Sequence, residues 1–208
     1  MFSTNSSLLQ QTLSQGRLFV VSGPSGVGKG TMLSRLYDRV SAIEPSISAT
    51  TRDPRPGEVE GVNYYFVTQE AFENDIEKDF FLEYALYGPN YYGTPLLPLE
   101  EKISLNTDVL LEIEVQGARL VRRKRPDAIL IYIQPPTMDE LERRLRGRRT
   151  ETEESIAKRL EIAQGEQAAI LEYDYLITND DLETSTEQLI GIVLAERCRI
   201  RPDERKPE

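Results

Sequence analysis

Residues 23–30 read GPSGVGKG. Four residues separate Gly23 from the Gly28-Lys29 pair, the spacing of a phosphate-binding P-loop. Glycines let the backbone wrap a phosphate chain with its N–H groups, and the start of a following helix favours anions. The pattern asks for Ser or Thr after the lysine, because that hydroxyl serves Mg²⁺. This chain has Gly30 there, with Thr31 one residue late. The flanks are those the motif requires. RLFVVS (17–22) is an apolar run suited to a strand buried on both faces, and Met32, Leu33, Leu36, Tyr37 and Val40 recur at helical spacing. The segment Gly23, Pro24, Ser25, Gly26, Val27, Gly28, Lys29, Gly30 and Thr31 is therefore the candidate site of a nucleoside triphosphate. Lys29 would meet its β- and γ-phosphates.

Working outward, DVLLEI (108–113), AILIYI (128–133) and YLIT (175–178) are further apolar strands. Helical patterns alternate with them: 118–123, 138–145, 156–171 and 187–194. Thr137 and Glu140 have the spacing of a capping box. Strands alternating with helices imply an α/β fold, a parallel sheet with helices on both faces. Residues 47–93 differ. ISATT, YYFVT and FFLEYALYG are short, aromatic and separated by Pro and Gly, which reads as a small β-rich insertion. A second insertion, LERRLRGRRTETEES (141–155), is dense in arginine and broken at Gly147.

The 208 residues suit one domain, and 39% hydrophobic with 29% charged residues marks a globular chain. A net charge of −10 argues against nonspecific binding to nucleic acid or anionic membrane, so an anionic ligand must be met by local basic clusters. No stretch reaches membrane-spanning length. The single cysteine excludes an internal disulfide and points to a reducing compartment. The absence of histidine makes triad chemistry and zinc sites poor candidates. Residues 1–16 carry no positive charge and read as a flexible polar arm rather than a secretory signal; 201–208 read as a frayed tail. RRKR (122–125) reads as a surface helix end, where cations are favoured.

SATTRDPRPGEVEGVNYYF (48–66), together with GPSGVGKGT, resembles guanylate kinases, which move a phosphoryl group from ATP to GMP. FLEYALYGPNYYGT (81–94), LLEIEVQG (110–117), IYIQPP (131–136), RLRGRRTETEESIAKRL (144–160) and ITNDD (177–181) follow in the family's order. The resemblance implies a P-loop NTPase-type three-layer core, made of residues 17–46, 97–136 and 160–195 within a domain spanning 17–195. It also implies a GMP-binding region at 47–96, a helical lid at 137–159, a place in purine nucleotide metabolism, and a cytoplasmic location.

The same resemblance assigns Arg52 and Arg55 to the GMP phosphate, with the hydroxyls of Tyr64 and Tyr92. Arginine forks suit phosphate oxygens. It places Ser48, Glu83, Thr94 and Glu114 around guanine, whose N–H donors need acceptors. Thr94 stands where some members have serine, and Glu114 where many have aspartate. Glu83 can accept two N–H bonds from one base edge, although the alternation F-L-E-Y-A-L-Y also permits an acid pointing outward. Glu112 ends a core strand beside the acceptor, where P-loop proteins keep a group for Mg²⁺ or its waters. An ordinary solvated acid would look the same. Arg144, Arg148 and Arg159 are implied to close over the ATP phosphates, and Asn179 and Asp180 to edge the adenine. Lys29, Arg52 and the three lid arginines form the implied catalytic set, with ATP–Mg²⁺ as donor.

Two other readings stay open at this stage. Guanylate-kinase-like domains of scaffolding proteins bind protein partners, but these tend to have a degraded P-loop, and here Lys29 and the glycines are intact. A kinase with AMP as acceptor would share the loop but not the Ser48–Glu58 block or Glu83. The sequence leaves oligomeric state open.

Overall fold

A computed structural model describes residues 15–147 and 152–200. The expected arm (apart from residues 15 and 16), the expected tail and Arg148 lie outside these. Gly16 belongs to the body: its N–H donates to Ile103 O at 2.9 Å, and a Cβ there would lie 2.0 Å from Thr107 O.

The strand before the loop, β1 (Leu18–Ser22), is buried at every position. Its alternate residues feed opposite faces of the sheet, as the two-residue strand period dictates. Phe19 and Val21 join a core with Leu36 of α1 (Lys29–Arg39) and Leu189 and Val193. Leu18 and Val20 join a second core with Leu99, Leu111 and Val121. Fully burying side chains of this kind stabilises by about 1.5–3 kcal/mol each. β1 thus holds the centre of a three-layer stack.

The core sheet also contains β2 (Ile43–Pro45). Four strands of the insertion follow, and the chain returns as β7 (Asp108–Glu112), β8 (Ile129–Gln134) and β9 (Tyr175–Thr178). The order is β2-β7-β1-β8-β9, with every pair parallel. β2 was not legible as a strand: it has three residues, and only Ile43 is buried. Ser22 pairs with Tyr132, and Val21 with Glu112, so the loop after β1 emerges between the ends of β7 and β8. Open parallel sheets bind ligands at this end.

The insertion forms a second sheet, with β3 (Ala49–Thr50), β4 (Tyr65–Phe66), β5 (Phe81–Tyr87) and β6 (Asn90–Pro95) in the order β4-β3-β6-β5. Its β character is as read, but it also holds α2 (Gln69–Glu77), capped by Thr68, whose hydroxyl accepts from the Ala71 N–H at 3.2 Å. Phe72 of this helix is fully buried and stacks on Phe81 and Tyr91 at 4.3 and 5.1 Å. The aromatic content that suggests strands here serves a helix-on-sheet core.

The remaining helices are α3 (Leu96–Ser104), α4 (Val115–Lys124), α5 (Met138–Gly147), α6 (Glu153–Glu166) and α7 (Leu182–Cys198). The pattern at 156–171 is not one helix: α6 passes into a 3₁₀ segment, Gln167–Glu172. At the start of α5 the Glu140 N–H donates to Thr137 Oγ1 at 3.1 Å, but the Glu140 carboxylate turns to Arg143 and Arg144 instead of completing the box. Those two arginines hold its pKa down to about 2. Leu141 and Leu145 of α5 pack with Ile156 and Ala163 of α6. The basic end of α4 is spent on acids: Arg122 on Asp174, Lys124 on Asp79, and Arg125 on Asp127 and Glu100. Among the described residues no helix is long and apolar enough to cross a membrane.

Candidate active site

α1 begins at Lys29 without a side-chain cap, and Gly28 before it has φ +104°. The first N–H groups of a helix have no partner within it, so these are free to meet phosphate oxygens. Three loop glycines combine a positive φ with close neighbours. A Cβ on Gly23 (φ +148°) would lie 2.1 Å from Ile133 O, and one on Gly28 would lie 2.6 Å from Asn179 Nδ2. On Gly26 (φ +90°) it would strike Leu145, so α5 lies directly on the loop. Gly30 is different: a Cβ there would meet nothing within 4 Å. Its lack of a hydroxyl is not imposed by crowding.

Lys29 donates to Gly23 O at 2.6 Å and to Pro24 O at 3.3 Å. Its ammonium lies 3.9 Å from Glu112 Oε1. The loop's own carbonyls hold the lysine against the turn. Glu112 is exposed at the end of β7, and with Gly30, Ser34, Tyr37, Ser48 and Tyr64 it lines a cleft of about 400 Å³. The Tyr37 hydroxyl was not picked out from the sequence. Burial, and then Glu112, push its pKa up, so it faces the cleft as a neutral group. A larger hollow, about 510 Å³ between β9 and α7, has none of the residues of the glycine loop in its wall.

Two lid arginines are brought to the loop. Arg159 donates to Ser25 Oγ. Arg144 donates to Val27 O at 3.3 Å, to Asn179 O at 3.0 Å and to Glu140 at 2.7 Å. Arg143 and Arg146 stay on the outer face, paired with Glu140, Glu142 and Glu153. Asn179 is buried, and its amide donates to Val27 O at 2.7 Å, while its Oδ1 is buried without a partner. It clamps the loop. Asp180, beside it, is exposed.

In the second sheet, β5 and β6 place Glu83 opposite Thr94. Thr94 Oγ1 donates to Glu83 Oε1 at 2.6 Å, and both residues are buried. Burial raises the Glu83 pKa, and the bonds from Thr94 oppose the rise. A Cβ on Gly117 would come within 3.0 Å of Glu83 Oε2, so α4 approaches this carboxylate as closely as glycine allows. The inward acid is the alternative that holds.

Arg52 lies in a cage, its guanidinium carbon 5.5 Å from the Tyr64 ring centroid and 6.0 Å from that of Phe66. Tyr64 and Tyr92 meet edge to face at 6.1 Å. Arg55 is exposed in the loop that follows β3. Ser48 is half-buried, and its carbonyl accepts the Tyr65 N–H at 2.9 Å. Glu114 caps α4 without a side-chain bond to the helix. It faces a group the sequence did not reveal: Glu166, whose Oε2 is buried without a partner. Burial, and then the Glu114 charge, push the Glu166 pKa up to about 7, with Lys29 pulling the other way. Among the described residues no cluster of three or more acidic, histidine or cysteine side chains could hold a metal. The exposed Glu112 beside Lys29 and the open space at Gly30 still fit an ion that keeps most of its water.

The guanylate kinase family model matches residues 15–196. A guanylate kinase of Desulfitobacterium hafniense is 47% identical over 192 residues, which is 92% of this chain and 94% of that protein. One from Synechococcus sp. is 53% identical over 86% of this chain and 82% of its own length. The crystal structure of guanylate kinase from Anaplasma phagocytophilum superposes with a TM-score of 0.71 at 34% identity, covering 89% of this chain and 88% of that one. With the loop, the second sheet and the lid in these places, the chain belongs to the guanylate kinase family.

Proposed function

We propose that the protein transfers the γ-phosphoryl group of ATP to GMP, forming ADP and GDP. The observation that carries this reading is the buried Glu83 carboxylate, held by Thr94 on a sheet of its own beside the loop. A desolvated carboxylate must be paired, and guanine offers adjacent N–H donors where adenine does not. Ser48 and Glu114 are the further acceptors for the base. Arg52, Arg55, Tyr64 and Tyr92 take the GMP phosphate. dGMP is accepted too, because every assigned contact is to base or phosphate.

The donor's phosphates lie on the N–H groups that open α1, with Asn179 and Asp180 beside its base. Lys29 leaves the carbonyls of Gly23 and Pro24 to meet them. Arg144, Arg159 and Arg148 bring positive charge to the transferring group as the 137–159 lid closes over the 17–46, 97–136 and 160–195 core. Glu112 would hold Mg²⁺ through water, and the ion would neutralise charge on the β- and γ-phosphates. An oxygen of the GMP phosphate attacks the γ-phosphorus as the bond to the ADP oxygen breaks. No side chain need become covalently attached, because positioning and charge neutralisation account for most catalysis of this transfer. Excluding water prevents hydrolysis of ATP in its place. A cytoplasmic location suits a chain whose one cysteine, Cys198, is an exposed free thiol.

The test is a coupled assay of ADP release with GMP, dGMP and AMP as acceptors. Turnover with GMP and dGMP, and little with AMP, is expected. Good AMP turnover without GMP turnover would defeat the reading.

A further inference from the structure

We infer that Glu58 is a positioning residue for the acceptor phosphate: it fixes Arg52 and the Arg55 turn in the arrangement that receives a phosphomonoester dianion. This rests on the assignment of Arg52 and Arg55 to the GMP phosphate. The Glu58 carboxylate accepts from Arg52 Nη2 with both oxygens, at 2.8 and 3.0 Å. Its Oε2 also accepts the backbone N–H of Arg55 at 2.7 Å. The bond is returned, since the Glu58 N–H donates to Arg55 O at 3.0 Å. Residues 55–58 are thereby closed into a turn, which passes through Gly57 at φ +89°. One side chain ties together the two arginines that sequence spacing only places near each other.

A carboxylate on a phosphate-binding arginine could instead be a stand-in anion that the phosphate displaces. The geometry argues otherwise. A displaceable anion would take the two-pronged face of the guanidinium, the face that suits carboxylate and phosphate. Here both oxygens share a single nitrogen, and Nη1 is turned to Asp53 O at 2.6 Å. Guanidinium carries five N–H donors, so with Glu58, Asp53 and the Tyr92 hydroxyl as partners a donor still remains for a ligand. The reciprocal bonds to the Arg55 backbone make Glu58 part of the loop rather than its cargo. Its side chain is 19% exposed and that of Arg52 14%, so the pair is partly withdrawn from solvent. The Tyr64 and Phe66 ring centroids also lie within 6.0 Å of the guanidinium carbon.

Glu58→Gln keeps one acceptor for the Arg55 N–H but loses the charge and the second acceptor toward Arg52. It is expected to raise KM for GMP about tenfold while kcat stays within about threefold, the range of one charged hydrogen bond. Glu58→Ala, which loses the turn as well, is expected to raise it further, with Gln as the partial rescue. Binding of guanosine, which has no phosphate, and KM for ATP should be unchanged in Glu58→Gln. Arg52→Ala separates the two layers of the argument. If it leaves KM for GMP unchanged, the phosphate assignment fails and the inference falls with it. If it raises KM while both Glu58 variants leave it unchanged, the assignment stands and the positioning role is wrong. A Glu58→Gln enzyme that binds GMP more tightly than wild type would show a competing anion and overturn the inference. An equal loss of guanosine binding would do so too, by showing damage to the whole sheet.

Discussion

Thr94 Oγ1 lies 2.6 Å from Glu83 Oε1, and it is this bond, between neighbouring strands of the smaller sheet, that aims a buried carboxylate. Burial lifts the pKa of Glu83 above the usual carboxylate range, with the Thr94 bonds in opposition. A protonated Glu83 can no longer accept two N–H bonds. KM for GMP should therefore rise as pH falls through that raised pKa, before ordinary carboxylates titrate, while KM for ATP stays level. A pH profile of both constants checks this. A GMP constant that is flat down to pH 4 would contradict it.

Asn179 joins the end of β9 to the loop through Val27 O at 2.7 Å. Asn179→Ala should destabilise the fold by about 0.5–1.5 kcal/mol, because Val27 O loses its shorter donor and keeps only Arg144. It should also raise KM for ATP more than KM for GMP. Denaturant midpoints and the two Michaelis constants measure the effect. Unchanged stability with unchanged KM for ATP would show that the loop does not depend on this clamp.

Gly30 sits where many P-loops have a hydroxyl, with open space around it. Gly30→Ser should fold normally and gain up to about 1 kcal/mol from better helix propensity. Its kcat with Mg²⁺ should stay within about threefold of wild type if water and phosphate hold the ion. A tenfold gain in kcat would show that the missing hydroxyl limits the native enzyme.

Glu166 should give a pH-dependent stability of defined sign. Its pKa in the folded state is pushed up to about 7. The folded protein then holds a proton the unfolded chain would release, so this group's contribution is fully present below the usual carboxylate pKa and lost as pH rises through 7. Glu166→Gln should remove that loss and melt higher than wild type at pH 8, with little difference at pH 4.5. Parallel melting curves for the two proteins across that range would contradict a raised Glu166 pKa in the folded state.

The loop was legible because it is local, while Glu83 and Thr94 were singled out by the family resemblance. Gly23 to Thr31 are contiguous and flanked by a strand and a helix, and Glu83 and Thr94 fall in one aromatic block. The central strands were legible because burial on both faces leaves continuous apolar runs. β2 was hidden because only Ile43 of its three residues is buried. α2 was hidden because Phe72 and its aromatic neighbours suggest strands, although Thr68 was a readable cap. Glu58 and Glu166 were invisible as site residues for another reason. One gains its role from the turn that brings it back to Arg52, the other from a helix that brings it to Glu114 across about a quarter of the chain. No spacing rule marks either.

The central claim is that Glu83 selects guanine, and steady-state kinetics of Glu83→Gln tests it most directly. The amide can accept at only one of the two base N–H groups and sets its own donor against the other. The expected result is a KM for GMP raised by at least about tenfold, the effect of one unpaired buried polar group, with KM for ATP and the melting temperature close to wild type. A KM for GMP equal to that of wild type would contradict the account.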